Sequence, residues 1–351
     1  MNHTNINEDR KQHLNLPDEA WSIIQSDCFA FSNTSTPIPL TTFLNKIIFH
    51  FYETAHASLT IRYQKQKQKY RKILNLTDSK KGLQKYAKEW ELLDKLMLAY
   101  QADCEEEYKK YPKGSGIKFR LNNQNTGILF DLFSDDTSVQ GHKTAGKYLN
   151  ALFTEYAKLS YSEREKIYFK DVFEVIAQSI KNKTFITYMS AANNRFFTVA
   201  PYKICTVSTL PYHYLACFAS SEADDELNQI VSLRISRIVN PVQTKHTFSI
   251  ADSEKDHMET ALKEKGSAYL HDHAETIKVR LSDAGIQIYN RKAHQRPQYI
   301  AQNDHIYEFC CTKQQAFHYF VDFGPEAYVL EPQSLQLEMK SFFEKGYQNY
   351  L

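Results

Sequence analysis

The clearest periodicity in the chain runs from Ile117 to Asn122, where Ile117, Phe119 and Leu121 alternate with Lys118, Arg120 and Asn122. Successive strand residues point to opposite faces, so this stretch predicts a short strand with one apolar and one polar face. A helical pattern follows over about 123–134, and a second apolar-striped helix over about 143–158. The same succession stands at the beginning of the chain with a constant offset of 105 residues. Leu121 falls on Leu16, Phe119 on Leu14, Ile128-Leu129 on Ile23-Ile24, and Leu149-Asn150 on Leu44-Asn45. The first copy therefore predicts helices over about 17–31 and 41–56. Pro17 suits a first helical turn, and Asn122 or Asn123 an N-cap.

A strand followed by two helices cannot bury the apolar strand face by itself. A second copy whose strand pairs with the first solves the problem, which is the logic of the ribbon-helix-helix module that places two antiparallel strands in a DNA groove. The chain is similar to such a module with both halves present, spanning 1–58 and 114–160. The polar faces differ. The second copy offers Lys118, Arg120 and Asn122. The first offers His13, Asn15 and Pro17, with Arg10 and Lys11 just upstream. Arginine and lysine bond guanine edges and asparagine bonds adenine, so the second copy is expected to dominate base contact.

An insertion, 59–113, separates the copies. Its Arg62–Lys72 segment holds six positive charges and no negative one, with Tyr63 and Tyr70 interleaved. It reads either as a phosphate-contacting surface or as a solvated helix face. The later Glu105-Glu106-Glu107 run reads as solvated surface. Ser162 and Glu165 form the pattern of a capping box opening a linker helix of about 162–181, within a linker segment 161–182.

After Lys183 the pattern changes to short β-rich runs: Phe185–Tyr188, Phe196–Ile204, His213–Phe218 and Ile230–Val239. Polar or proline-containing turns between them predict a small, strongly curved barrel over 183–250, followed by an extension over 251–351. The fold class is α+β.

Composition narrows the function. The net charge of the 351 residues is only +2, so a basic surface must be local. The six cysteines, at 28, 104, 205, 217, 310 and 311, contain no C-x-x-C pair, the usage of incidental thiols in a reducing compartment. Neither a signal-like apolar start nor a run of membrane-spanning length is present, so a cytoplasmic protein is expected.

The segment from about 183 to 249 resembles a WYL domain, a small SH3/Sm-like barrel of prokaryotic regulators. The namesake Trp-Tyr-Leu corresponds to His213-Tyr214-Leu215, the Val-x-Pro strand to Val199-Ala200-Pro201, and Arg-Leu-Asp-Arg-Ile to Arg234-Ile235-Ser236-Arg237-Ile238. Arg195 is the arginine nearest before Val199. Phe323–Pro332, followed by Leu335, is similar to the C-terminal extension accompanying such domains, with Ile277–Leu281 as its first strand and 333–345 as its last helix. The resemblance implies a ligand-responsive transcriptional regulator that binds DNA, and because readers of half-sites gain from two-fold symmetry a homodimer is expected, with the C-terminal extension as its contact. A nucleotide-like or nucleic-acid ligand would meet the barrel at Tyr214, Arg234, Arg237, His213 and Arg195. Arg234 and Tyr214 are the leading pair, since a guanidinium chelates phosphate and a phenol stacks. Three residues apart on a regular strand, Arg234 and Arg237 would face opposite ways. Similar chains also serve as accessory proteins of type VI CRISPR systems, binding single-stranded RNA and enhancing an RNA-guided nuclease. A pure protein-interaction scaffold is the third reading.

No catalytic motif competes, and neither a cofactor nor a metal is expected. His271-Asp272-His273 has two histidines at i, i+2 and no further ligand cluster beside it, and reads as a solvated loop.

Overall fold

The computed structural model describes residues 11–76, 87–107, 116–134, 144–191, 194–207, 210–221, 224–268, 270, 275–292 and 296–351. Expectations placed on Arg10 and on His271-Asp272-His273 lie outside these residues, as do those on the side chains of 105–107. The chain divides into two compact units, Met1–Lys170 and Asp171–Leu351.

In the first unit, strand β1 (Lys11–Asn15) leads to helices α1 (Asp18–Ala30) and α2 (Leu40–Ile73). Helix α3 (Ala87–Glu107) precedes the second copy of the pattern: β2 (Gly116–Arg120), α4 (Asn123–Ser134) and α5 (Ala145–Ala157). β1 and β2 pair antiparallel with Leu14 opposite Ile117 and Gln12 opposite Phe119. Leu14, Ile117 and Phe119 are buried, as are Leu16 and Leu121, which carry the alternation past the ladder. Ile24, Phe43, Leu44, Ile47, Leu129, Leu149 and Phe153 of the four helices are buried too, and the Phe153 ring meets that of Phe119 edge-on with centroids 6.3 Å apart. Each strand's apolar face is thus covered only because both copies are present.

Two sequence-based boundaries need correction. The second helix of the first copy does not stop near 56 but runs unbroken for 34 residues. No glycine or proline interrupts Leu40–Ile73, so nothing breaks its hydrogen-bond ladder. Its outer part forms a hairpin with α3 around Leu76, Leu93 and Met97, against which Tyr63, Tyr70 and Trp90 pack. The capping box is Ser160 with Glu163, two residues earlier than expected: the Ser160 amide donates to Glu163 Oε2 at 2.8 Å. Glu165 is buried instead. The helix it opens, α6 (Tyr161–Tyr168), ends before Phe169, where α7 (Lys170–Asn182) begins.

Asp27 of α1 is buried and receives a two-pronged bond from Arg164 of α6: Nε to Oδ2 at 2.7 Å and Nη2 to Oδ1 at 3.1 Å. Tyr156 of α5 donates to the same Oδ2 at 2.9 Å. Burial, then the neighbouring Asp27 carboxylate, pushes the Tyr156 phenol far above its ordinary range.

The second unit contains two antiparallel sheets. Strands β3 (Thr184–Ser190), β4 (Phe196–Val207), β5 (Leu210–Ser221), β6 (Asp224–Arg234) and β7 (Ile238–Thr247) form a five-stranded sheet in the order β6-β5-β4-β3-β7. The expected barrel is not closed. β6 and β7 are the two edges, and the residues joining them, Ile235–Arg237, form a 3-10 turn rather than a ladder between them. Helix α8 (Asp252–Lys265) lays Met258 and Ala261 on Ala200, Ala216 and Phe218 of one sheet face.

The remainder reads strand, helix, strand, strand, helix, strand. These elements are β8 (Glu275–Leu281), α9 (Asp283–Arg291), β9 (Tyr299–Asn303), β10 (Ile306–Cys311), α10 (Lys313–Phe320) and β11 (Ala327–Glu331), with α11 (Gln333–Gln348) last. The strand order is β11-β8-β10-β9, the split arrangement of ferredoxin-like sheets. Gly285 lets α9 approach the segment before β11, since a Cβ there would collide with the Glu326 carbonyl.

Candidate nucleic-acid interface

The ribbon's polar face follows from the strand period. With Leu14, Ile117 and Phe119 turned inward, Lys11, His13, Asn15, Lys118 and Arg120 are turned outward, and all five are exposed. Register places Lys11 opposite Arg120, His13 opposite Lys118, and Asn15 opposite Gly116. Like charges directly across a ladder are unfavourable, and neither strand carries a carboxylate of its own. An anion lying on this face would relieve that repulsion. A two-stranded ribbon also fits the roughly 12 Å width of a DNA major groove.

Asn122 stands just beyond the ribbon. Its Oδ1 accepts from the Asn125 amide at 2.8 Å, capping α4 as expected, so its acceptor is engaged in the fold. Beneath lies a polar network. Asn45 Nδ2 donates to the Arg120 carbonyl at 2.9 Å, while Asn45 Oδ1 accepts from the Asn122 amide and from Asn125 Nδ2, both at 2.9 Å. In the other copy, Asn150 Oδ1 accepts from the Asn15 amide at 3.2 Å. The second helix of each copy therefore holds the strand of the other copy.

The five-stranded sheet gathers the remaining candidates unevenly. Tyr214 and Arg234 are cross-strand partners on β5 and β6. The Arg234 guanidinium lies 3.5 Å from the ring centroid of Tyr212, a stacked cation–π contact. Sequence reasoning missed Tyr212, although its i−2 position from Tyr214 puts it on the same strand face. His213 turns the other way: it is buried, edge-on to Phe173 of α7 with centroids 4.9 Å apart. Arg237 is exposed within the 3-10 turn, so the strand on which it and Arg234 were expected to alternate ends at Arg234. Arg195 is exposed before β4. The carbonyls of Arg195 and Arg237 accept from the consecutive amides of Ser190 and Ala191, at 2.9 and 3.1 Å. The structure thus brings Arg195 beside Arg237 and Tyr214 beside Arg234.

Among the described residues, no His, Cys, Asp and Glu group could hold a metal ion. No described helix is long and apolar enough to cross a membrane.

No protein-family model matches the sequence, and no curated protein does either. The fold does have solved counterparts. A crystal structure described as that of a CRISPR Cas-related protein superposes with a TM-score of 0.68 at 22% identity, over 97% of this chain and 94% of that one. The two chains share their fold through nearly their whole length. Proteasome accessory factor B/C (PafBC) of Arthrobacter aurescens is a distant second likeness, with a TM-score of 0.29 and 12% identity over 67% of this chain and 37% of that one.

Proposed function

We propose that this protein is a non-enzymatic, nucleic-acid-binding regulator whose β1–β2 ribbon, a complete ribbon-helix-helix reader within one chain, enters the groove of duplex DNA. The observation that carries this reading is the outward row of Lys11, His13, Asn15, Lys118 and Arg120 on an antiparallel pair backed by a closed apolar core. Arg120 and Lys118 supply donors for guanine edges and phosphates, and His13 and Asn15 the neighbouring polar contacts. Tyr212, Tyr214 and Arg234, in a WYL-like sheet, would hold a phosphate-bearing or nucleobase ligand by chelation and stacking.

One observation favours a second reading. The full-length likeness to a CRISPR Cas-related protein supports an accessory role in which single-stranded RNA is bound beside an RNA-guided nuclease. The sheet offers aromatic and cationic groups for that, and β3, β4 and β7 carry no carboxylate.

The deciding experiment compares duplex DNA with single-stranded RNA at matched salt, for the wild type and Arg120→Ala. Ribbon reading predicts a DNA preference and at least a tenfold loss in the variant. A preference for RNA that Arg120→Ala leaves unchanged would transfer the function to the sheet.

A further inference from the structure

The cationic segment Arg62–Lys72 is half of the helical hairpin, and the fold sorts its residues. Tyr63 and Tyr70, the aromatic groups that could have stacked on bases, pack against the hairpin core instead. Arg62 is paired with Glu155 at 2.8 Å, and the Arg71 guanidinium lies 5.3 Å from the Trp90 ring centroid. Lys67 is half-buried. Lys65, Lys69 and Lys72 remain, all exposed together with Gln64 and Gln68.

Spaced i, i+4 and i+7, the three lysines fall within about 60° of arc and about 10 Å of helix length. They form one stripe, not the scatter that an unsorted run would give. Among the described residues no carboxylate pairs with any of them, and the sequence has no acidic residue between Glu53 and Asp78. About 10 Å corresponds to roughly three phosphates along one strand of a duplex, at ~3.4 Å each.

The stripe is also mechanically tied to the ribbon. The same helix carries Phe43, Leu44, Ile47, Ile48 and Phe51 in the core behind the strands, and Asn45 bonded to Arg120. Lys65 follows Asn45 by about 30 Å of unbroken helix at ~1.5 Å per residue. We infer that Lys65, Lys69 and Lys72 form a second nucleic-acid contact, which grips the phosphate backbone of the same molecule that the ribbon reads. This inference rests on the proposed nucleic-acid function and extends its footprint along a rigid arm.

The test is a salt titration of binding by the full-length protein, using fluorescence anisotropy with a long duplex and a long single-stranded RNA as probes. Lys65→Gln/Lys69→Gln/Lys72→Gln is compared with the wild type and with the corresponding triple Lys→Arg variant. Glutamine and arginine match lysine in helix propensity, and circular dichroism checks that the arm stays helical. Each lost phosphate contact should flatten the slope of log affinity against log salt by ~0.9 on duplex or ~0.7 on a single strand, so the glutamine variant should lose about 2–3 in slope. The arginine variant should keep the wild-type slope. The difference should vanish on duplexes too short to span about 30 Å, roughly nine base pairs at ~3.4 Å each. Equal slopes for the wild type and the glutamine variant on long probes would overturn the inference while leaving the ribbon reading intact. Absence of binding to either nucleic acid by the wild type would overturn both.

Discussion

Asn45 reaches from the second helix of the first half-module to the Arg120 carbonyl in the strand of the second, at 2.9 Å. The counterpart of Asn45 under the 105-residue offset, Asn150, makes the reciprocal contact to Asn15 at 3.2 Å. The two copies are therefore interlocked at equivalent positions, but with unequal strength. Asn45 also holds Asn122 and Asn125, whereas the residue equivalent to Asn122 is Pro17, which has no amide hydrogen to give.

That asymmetry predicts a ranking. Asn45→Ala removes three bonds, to the Arg120 carbonyl, the Asn122 amide and the buried Asn125 Nδ2, which keeps its second bond to the Asn45 carbonyl, and should lower stability by about 2–3 kcal/mol, at ~1 kcal/mol for each bond lost where water or a second partner takes over. Asn150→Ala should cost about 1 kcal/mol by the same reasoning. Urea denaturation of both variants checks this, and a larger loss at Asn150 would contradict the network.

The Asp27–Arg164 pair supplies a second stability test. Asp27→Asn leaves a guanidinium largely out of water without its counter-charge. Removing one partner of a buried pair typically costs ~3–5 kcal/mol. The expected outcome is a marked fall in the denaturation midpoint of the first unit, with little change in the second. Replacing both residues by apolar ones of similar size, together with Tyr156→Phe so that no buried hydroxyl is left unpaired, should restore much of the loss.

At the five-stranded sheet, Tyr212→Ala removes the platform under Arg234 but leaves the strand pairing in place. Binding of a nucleotide-like ligand should weaken at least tenfold, as should that of Arg234→Ala, while ribbon-dependent binding stays within twofold of the wild type. Equilibrium binding of nucleotides and of short oligonucleotides measures the first, and the Arg120-sensitive probe the second. Tyr212→Phe should keep the stacking and most of the affinity.

Cysteine reactivity should separate neighbours. Cys310 is exposed while Cys311 is buried, because adjacent strand residues face opposite ways. Burial, reinforced by Cys310 and Glu275, pushes the Cys311 thiol up to about 12; burial, with Asp27 adjacent, does the same for Cys28. A thiol of this kind is present as thiolate at only roughly one part in 10⁴ at pH 8, because the folded value lies so far above that pH. Alkylation of the native protein at pH 8 should therefore label Cys310 well before Cys28 or Cys311, and denaturant should abolish the difference. Peptide mapping reads the order.

The repeated strand–helix–helix units were legible because their information is local. Alternation at two residues and striping at 3.6 recur at one offset, and the pairing of β1 with β2 follows from the need to bury Leu14 and Ile117. What escaped depends on partners distant in sequence or on competing local signals. The continuation of α2 past 56 was hidden because its outer residues become half-buried only against α3. Ser160 and Ser162 both precede a glutamate by three residues, and only burial of Glu165 selects the first. Whether the five strands close into a barrel is decided by the 3-10 turn at Ile235–Arg237, which no alternation reveals. Tyr212 lies outside the three-residue motif at His213-Tyr214-Leu215, and only the strand face it shares with Tyr214 points to it.

Both ribbon strands arrive on a single polypeptide, and dilution cannot part them. A reader split between subunits falls to halves once its concentration drops below the dissociation constant of the dimer, and its occupancy then rises as the square of protein concentration. On the proposed reading, each copy of the chain would carry both strands of its reader at any abundance, held by the effective concentration of a covalent tether. Occupancy of one site should climb linearly, even in a cell that makes only a few molecules.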